Sequence, residues 1–251
     1  MLVFGFLALM ILAARCRAAE VTEPVRLAVK VAASYPHDTN SYTQGLLWHA
    51  GTLYESTGHY GESLLRRVEM ASGEVLSERA LPDSLFGEGL ARVENRLIQL
   101  TWKAGRAVTY DLNSFEQLSE RTYQGEGWGL CFDGAQLWMS NGTDLLVRRD
   151  AQSFAALGEV RATLNGQSVG LLNELECAEG WIYANVYETD WIVRIDPLSG
   201  QVTALVDASG LLTATERESV EVLNGIAYDE EKEVFYVTGK YWPRIFEVTF
   251  E

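Results

Sequence analysis

A recurring Gly-Leu step carries residues of very different chemistry on its N-terminal side. The step occurs as Gly45-Leu46, Gly89-Leu90, Gly129-Leu130, Glu174-Leu175 and Gly225-Ile226. The residues directly before it are Gln44, Glu88, Trp128, Asn173 and Asn224. Glu88 is the only acid among them. A repeat that served architecture alone would keep one residue type at this position, so the variation indicates a ligand site.

A second set of residues is predicted to lie beside the first. In an antiparallel hairpin, the second strand returns to the face on which the first strand began. Counting thirteen residues on from each step, or fifteen in the fifth copy with its longer turn, gives Gly58, Trp102, Gly142, Tyr187 and Lys240. The two sets combine one acid, one lysine, three large aromatic residues and several carboxamides. Together they predict an asymmetric pocket with an apolar wall and a few polar groups.

The elements that must position these residues are short β-strands. Consecutive Gly-Leu steps lie roughly 40 to 50 residues apart, which is the range of propeller blades. Each copy continues with a turn, a second strand, a third strand that ends in an acid, and in most copies a fourth strand. We therefore predict an all-β fold, a five-bladed β-propeller with four antiparallel strands per blade.

The two ends of the repeat array predict how the ring closes. The fifth copy stops after its third strand at Glu251, whereas an extra strand, Arg26 to Tyr35, precedes the first copy. We expect this N-terminal strand to complete the last blade, because that pairing removes two exposed sheet edges. The alternative is a linear β-array, which would leave those edges open.

The first residues differ in composition from the repeats. Leu2 to Ala14 is a continuous apolar run that is too short for a membrane span, and small residues follow it. We predict a signal peptide over residues 1–18, a linker over 19–25 and a single propeller domain over 26–251. The protein is then exported, to the periplasm or out of the cell. A retained anchor and an acylated Cys16 are the alternatives.

Charge and cysteine content narrow the range of partners. The net charge of −15 argues against nucleic acid and anionic membrane surfaces. His37, His49 and His59 belong to no metal-binding motif, so we expect no metal and no cofactor.

Cys131 and Cys177 follow the Gly-Leu step of neighbouring copies. We expect two buried thiols, with a bridge between adjacent blades as the alternative, and a monomeric protein.

Several segments carry a resemblance to a known family. They are Tyr42-Thr43-Gln44-Gly45-Leu46, Phe86-Gly87-Glu88-Gly89-Leu90, Leu100-Thr101-Trp102-Lys103, Gly127-Trp128-Gly129-Leu130, Leu172-Asn173-Glu174-Leu175-Glu176, Leu223-Asn224-Gly225-Ile226-Ala227 and Val237-Thr238-Gly239-Lys240. Together they resemble the glutaminyl-peptide cyclotransferases of the plant and bacterial type. Members of this family are five-bladed propellers that cyclise the N-terminal glutamine of peptides to pyroglutamate and release ammonia.

The resemblance implies a set of site residues, each carried over by its motif. They are Tyr42, Gln44, Phe86, Glu88, Trp102, Trp128, Asn173, Tyr187 and Lys240. We expect Glu88 to act as general acid and base, and Lys240 and Asn173 to hold or polarise the γ-carbonyl. The others are expected to bind the substrate. Tyr42 stands where plant members have Phe, and Tyr187 where they have Trp, which leaves the side-chain preference open.

Two other functions fit the same pattern of residues. A secreted propeller could bind a peptide or glycan at its aromatic mouth without catalysis. A calcium-dependent propeller lactonase would need several carboxylates converging on the channel, whereas the two sets supply only Glu88. Ammonia release from a peptide that begins with glutamine separates the cyclotransferase from the binding module, and a chelator would inactivate only the lactonase.

Overall fold

The computed structural model describes residues 23–251. The predicted signal peptide and residues 19–22 of the predicted linker lie outside the described residues. Within this range the structure begins with the strand β1 (Val25–Pro36), and nearly all regular structure that follows is also β-strand. The single helix of the described chain, α1, spans Ala214–Arg217.

No helix within residues 23–251 has the length and apolar character that a membrane crossing requires.

Three separate four-stranded antiparallel sheets follow β1 along the chain, each with its strands in chain order. The first group contains β2 (Thr43–His49), β3 (Thr52–Thr57), β4 (Leu64–Val68) and β5 (Val75–Ala80). The second contains β6 (Gly87–Val93), β7 (Arg96–Thr101), β8 (Arg106–Asp111) and β9 (Gln117–Thr122). The third contains β10 (Leu130–Phe132), β11 (Gln136–Met139), β12 (Leu145–Asp150) and β13 (Ala156–Arg161). A short hairpin follows, β14 (Thr163–Leu164) and β15 (Gln167–Ser168).

The remaining strands form one eight-stranded sheet with β1 in its interior. The fourth group contains β16 (Leu172–Ala178), β17 (Trp181–Val186), β18 (Trp191–Ile195) and β19 (Val202–Asp207). The fifth contains β20 (Leu223–Asp229), β21 (Val234–Gly239) and β22 (Arg244–Phe250). β1 runs antiparallel to β22 from Val29 to Pro36, which is the predicted pairing. It also runs parallel to β19 from Val25 to Ala28, which was not predicted and which joins the two groups.

The hydrophobic core is divided among the interfaces between neighbouring groups. Successive side chains of a strand point to opposite faces of its sheet. Apolar side chains on both faces can therefore pack against the sheets of the neighbouring groups. Leu65 of the first group and Leu97 of the second belong to one buried cluster. Leu53 of the first group and Tyr236 of the fifth belong to another. The first strands contact one another in the order β2, β6, β10, β16, β20 and back to β2.

The Gly-Leu steps lie where the first strands of neighbouring groups closely approach one another. A Cβ atom on Gly45 would lie 2.6 Å from the backbone nitrogen of Leu90. A Cβ atom on Gly129 would lie 2.1 Å from the backbone oxygen of Asn173. Both distances are far below ordinary van der Waals contact, so glycine is required here because of the close approach of two backbones.

Glu174 replaces glycine in the fourth step and connects three groups of strands. Its side chain is fully buried, and its carboxylate accepts the backbone N–H of Leu46 at 3.2 Å and of Ile226 at 2.8 Å. Burial raises the pKa of Glu174 well above its usual value, and the neighbouring Glu176 raises it further, although the two backbone donors oppose the shift. This side chain therefore ties β16 to β2 and β20.

Cys131 and Cys177 form a disulfide, so the expectation of two free thiols was wrong. They lie on β10 and β16, the first strands of neighbouring groups, and their Cα atoms are 5.4 Å apart. That separation lies within the range that a disulfide requires. The repeat spacing placed the two residues on adjacent groups but carried no information about the distance between them. A bridge of this kind typically stabilises a fold by about 2–4 kcal/mol.

Candidate active site

A cavity of about 250 Å³ is lined by ten residues. They are Tyr42, Gln44, His59, Phe86, Glu88, Trp102, Trp128, Asn173, Tyr187 and Lys240. All nine residues that the sequence motifs implied are therefore brought together, and His59 is added. Glu88 on β6 and Lys240 directly after β21 face the same opening, although they come from the second and the fifth group.

Two glycines of the second predicted set make room for the rings that line the cavity. A Cβ atom on Gly58 would lie 2.4 Å from the Phe86 ring, and one on Gly142 would lie 2.6 Å from the Trp128 ring. Gly142 also has a φ of 77°, which favours glycine. Neither glycine lines the cavity itself, because the neighbouring aromatic side chain covers it.

Glu88 provides the acid of the cavity. Its side chain is 3% exposed, and its Oε1 accepts a hydrogen bond of 2.8 Å from Nε2 of Gln44. Its Oε2 is buried and has no hydrogen-bond partner among the described residues. Burial raises the pKa of Glu88 well above its usual value, Lys240 and Gln44 oppose the shift, and Glu126 adds to it. A buried carboxylate with a raised pKa and a free oxygen suits a group that takes up and returns a proton.

Gln44 is held in one orientation by the fifth group. Nδ2 of Asn224 lies 3.2 Å from Oε1 of Gln44 and 2.9 Å from the backbone oxygen of Thr43. Because the oxygen of the Gln44 amide accepts from Asn224, its NH₂ group is directed to Glu88. Asn224 belongs to the first predicted set but does not line the cavity, so it supports Gln44 from behind.

Lys240 provides a cation that forms no ion pair with a carboxylate among residues 23–251. It is 2% exposed, and its Nζ lies 4.3 Å from the centre of the Tyr42 ring and 5.1 Å from that of Tyr187. Within residues 23–251, the ion pairs include none between Lys240 and Glu88. Burial lowers the pKa of Lys240 to about 8, while Glu88 and Glu221 oppose the shift. The ammonium group is charged at neutral pH and is available to a ligand.

Asn173 adds a second unpaired polar atom to the cavity. Its side chain is 2% exposed, and its Oδ1 has no hydrogen-bond partner in the described part of the chain. Its backbone oxygen is fixed by the Ser140 hydroxyl, which donates to it at 2.6 Å. A buried polar atom without a partner costs about 1–3 kcal/mol. A ligand that supplies partners to Asn173 and Glu88 would recover that cost.

The walls of the cavity are aromatic rings in edge-to-face contact. The Phe86 and Trp102 rings lie 5.5 Å apart at 61°, and the Trp128 and Tyr187 rings lie 5.5 Å apart at 87°. Both indole N–H groups donate to Oε2 of Glu126, from Trp102 at 2.7 Å and from Trp128 at 3.0 Å. Sequence reasoning missed Glu126, although it lies only two residues before Trp128 in a Gly-Glu-Gly segment.

His59 is the second residue that sequence reasoning missed. His59 directly follows Gly58, and its own φ of 86° is rare for a residue with a side chain. Its Nε2 lies 2.8 Å from the Tyr241 hydroxyl, and its ring centre lies 4.2 Å from that of Tyr42. The left-handed backbone brings the imidazole into the cavity lining. The sequence offers no signal for this beyond its position next to Gly58.

Comparison with known proteins assigns the chain to a family. The sequence profile described as glutamine cyclotransferase matches residues 4–250. The chain belongs to the glutamine cyclotransferase family. A curated glutaminyl-peptide cyclotransferase of Arabidopsis thaliana is 38% identical over 226 residues, which cover 88% of this chain and 70% of the relative. The crystal structure of Myxococcus xanthus glutaminyl cyclase matches with a TM-score of 0.86 and 41% identity, over 91% of this chain and 99% of that chain.

Membership of the glutamine cyclotransferase family confirms the resemblance that the motifs indicated. It favours an enzyme over a non-catalytic binding module or a lactonase. The described residues also contain no group of three or more His, Cys, Asp or Glu side chains arranged to hold a metal ion. Of the ten residues that line the cavity, one, Glu88, is an acid.

Proposed function

We propose that this protein cyclises the N-terminal glutamine of peptides and proteins to pyroglutamate, with release of ammonia and with Glu88 as general acid and base. Family membership supports the reaction. The observation that carries the roles is the unpartnered Oε2 of the buried Glu88, in a cavity that also contains Lys240 and Asn173.

The substrate supplies both reacting groups. Its α-nitrogen attacks the carbon of its own γ-carboxamide, a new N–C bond closes the five-membered ring, and the old C–N bond breaks to release NH₃. A peptide α-amine has a pKa of about 7.7–8.0, so much of it is protonated near neutral pH. The attacking species is the neutral amine, and its attack leaves one surplus proton on the α-nitrogen. Glu88 takes that proton and gives it to the departing NH₂ group, which leaves as NH₃, so that no net proton is consumed. The raised pKa of Glu88 brings its proton affinity towards that of the amine, which eases transfer in both directions.

Lys240 and Asn173 act on the γ-carboxamide. Negative charge develops on the γ-oxygen when the α-nitrogen attacks, and the Lys240 ammonium stabilises it. A group of this kind typically contributes about 10²–10³ in rate. The unpartnered Oδ1 of Asn173 accepts an N–H of the carboxamide and holds it in place. Both groups thereby act on the carbon that is attacked.

The aromatic walls supply the geometry of ring closure. An extended glutamine side chain cannot cyclise, so the cavity must hold it folded against the α-nitrogen. Rigid walls formed by Trp102, Trp128 and Tyr187 restrict the conformations of the glutamine side chain. The reacting atoms are then already close together, which lowers the barrier to ring closure. Tyr42, Phe86 and Gln44 bind the remainder of the terminal residue.

We also propose that the strands form a five-bladed propeller that β1 closes. The cyclic order of contacts among the five first strands supports this count. We propose that the protein is exported, which the predicted signal peptide and the Cys131–Cys177 bridge support, because disulfides persist in oxidising compartments. A monomer suffices for activity, since one chain supplies every residue that lines the cavity.

Incubation with a synthetic peptide that begins with glutamine tests the proposed reaction. We expect ammonia and the pyroglutamyl peptide in equal amounts, measured by a coupled ammonia assay and mass spectrometry. The same peptide with an acetylated α-nitrogen is the control and should remain unchanged, because its nitrogen is no longer nucleophilic. A chelator should leave the rate unaltered. Tight binding of the peptide without ammonia release would overturn the proposal in favour of a binding module.

A further inference from the structure

The loop between β9 and β10 contains a carboxylate that the mechanism above does not use. A single oxygen atom of Glu126, Oε2, accepts the indole N–H of Trp102 at 2.7 Å and that of Trp128 at 3.0 Å. Trp102 directly follows β7 of the second group, and Trp128 lies just before β10 of the third group. Both tryptophans line the cavity. Glu126 therefore links the side chains of Trp102 and Trp128, which come from different groups of strands, and can fix the angle between their rings.

The backbone around Glu126 is itself fixed against Trp102. The backbone N–H of Gly127 donates to the carbonyl oxygen of Trp102 at 3.0 Å. A Cβ atom on Gly127 would lie 2.1 Å from the Tyr123 hydroxyl oxygen, so only glycine fits at this position. The Tyr123 hydroxyl in turn donates to the backbone oxygen of Thr101. The same loop thus holds Trp102 through its backbone and through its indole.

We propose that Glu126 is a positioning residue for the cyclisation, which fixes the angle between Trp102 and Trp128 so that the cavity keeps the glutamine side chain folded. This inference rests on the proposed function. Hydrogen bonds to an ionised carboxylate are shorter and stronger than those between neutral groups, so they can set the rotamers of two indoles. Ring closure requires the reacting atoms about 3–3.5 Å apart, and a small displacement of a wall lowers the rate.

The charge of Glu126 has a second effect that can be separated from the first. Burial is the main reason that the pKa of Glu88 is raised, and the charge of Glu126 adds to it. Glu126→Gln keeps an oxygen that accepts both indole N–H groups but removes the charge. Glu126→Ala removes both. The two variants therefore distinguish the positioning of the walls from the electrostatic effect on Glu88.

Steady-state kinetics of the two variants test the proposal. Loss of two charge-assisted hydrogen bonds in Glu126→Ala should lower kcat about 10–100-fold, with KM changed by less than about threefold. Glu126→Gln should retain kcat within about threefold, while the acid limb of its pH profile moves to lower pH. Glu116→Ala and Glu116→Gln are matched controls, because this exposed acid lies in the turn between β8 and β9. They should behave as wild type.

A double-mutant cycle identifies the partner. Trp102→Phe removes the indole N–H, so its effect on kcat should be smaller in the Glu126→Ala background than in wild type. Additive effects, or a Glu126→Ala variant with wild-type kcat, would overturn the proposal. If Glu126→Ala does not fold, Trp102→Phe in the wild-type background is the test, and an unchanged kcat in that variant overturns the proposal.

Nuclear magnetic resonance keeps this test independent of turnover. The indole ¹H–¹⁵N signals of Trp102 and Trp128 should move in Glu126→Ala and remain in place in Glu116→Ala. Wild-type protein that releases no ammonia would disprove the proposed function, whereas the two indole signals would still report on the contacts. Unchanged indole signals in Glu126→Ala would show that Glu126 does not hold the two rings.

Discussion

Two buried glutamates of neighbouring groups, Glu55 on β3 and Glu88 on β6, have opposite surroundings. Glu55 is 1% exposed and Glu88 is 3% exposed, so burial does not distinguish them. Glu88 has one donor, Gln44, and one unpartnered oxygen. Both oxygens of Glu55 have partners. These are the Thr43 hydroxyl at 2.7 Å, the Ser41 hydroxyl at 3.2 Å and Nε2 of His37 at 3.0 Å.

As a result, the pKa values of the two carboxyl groups are shifted in opposite directions. Burial alone would raise the pKa of Glu55, but His37 and the hydroxyl donors outweigh burial and lower it. Nδ1 of His37 lies 2.7 Å from the backbone oxygen of Trp242, so both ring nitrogens face acceptors and the ring is protonated. For Glu88, burial prevails and the pKa is raised. Direct contact with the cationic His37 distinguishes Glu55, because Glu174, whose carboxylate accepts two backbone N–H groups, has a raised pKa as Glu88 does.

The largest effect on activity is expected from Glu88→Gln. The rate of ammonia release should fall about 10²–10⁴-fold, because an amide cannot take the proton that the α-nitrogen loses on ring closure. The melting temperature should stay the same or rise, since the cost of burying a charge is removed. Ammonia assays and thermal denaturation check both. A near-normal rate would exclude Glu88 from the chemistry, and a large loss of stability would place it in the same class as Glu55.

Glu55→Gln should have the converse effect. It leaves the protonated His37 without its carboxylate, and breaking a buried pair in this way costs about 3–5 kcal/mol in the free energy of unfolding. Urea denaturation measures the loss. The fraction that remains folded should keep a rate close to that of wild type, with Glu88→Gln as the matched comparison. Unchanged stability would mean that the His37–Glu55 pair contributes nothing to the fold.

The pH profile should give the smallest and most specific difference. Activity rises with pH as Glu88 loses its proton, and it falls above about pH 8, where Lys240 loses its charge. The substrate amine titrates in the same range but would raise the rate, so it cannot cause the alkaline fall. Lys240→Arg should move the alkaline limb to higher pH, because arginine stays charged. Glu55→Gln should leave both limbs in place, and a shift of either limb in that variant would contradict the separation of the two acids.

The site was predictable from the sequence to the extent that the repeats share one geometry. Gln44, Glu88, Trp128 and Asn173 occupy the same place in successive copies, so their common opening follows from spacing alone. Lys240 required a correction for a turn that is two residues longer. Tyr42 and Phe86 entered through the family motif, although both lie at one repeat position, two residues before Gln44 and Glu88.

What spacing could not supply was contact between side chains from different groups. Glu126 acts through hydrogen bonds to indoles on both sides of its loop. His59 reaches the cavity through an unusual backbone angle. The Cys131–Cys177 bridge depends on a distance between two sheets. Each of these contacts is a property of packing in three dimensions. Glu126 shares the repeat position of Tyr42 and Phe86, two residues before Trp128, but that position does not give its contacts.

The pairing of β1 with β22 has a consequence for the order of events in folding. Tyr35 and Glu247, which are hydrogen bonded across this seam, are 212 residues apart in sequence. Contacts of such separation form slowly, because the whole intervening chain must first be brought together. Lys240 lies in the group that this seam completes. We therefore expect the group of strands that carries Lys240 to be completed late in folding.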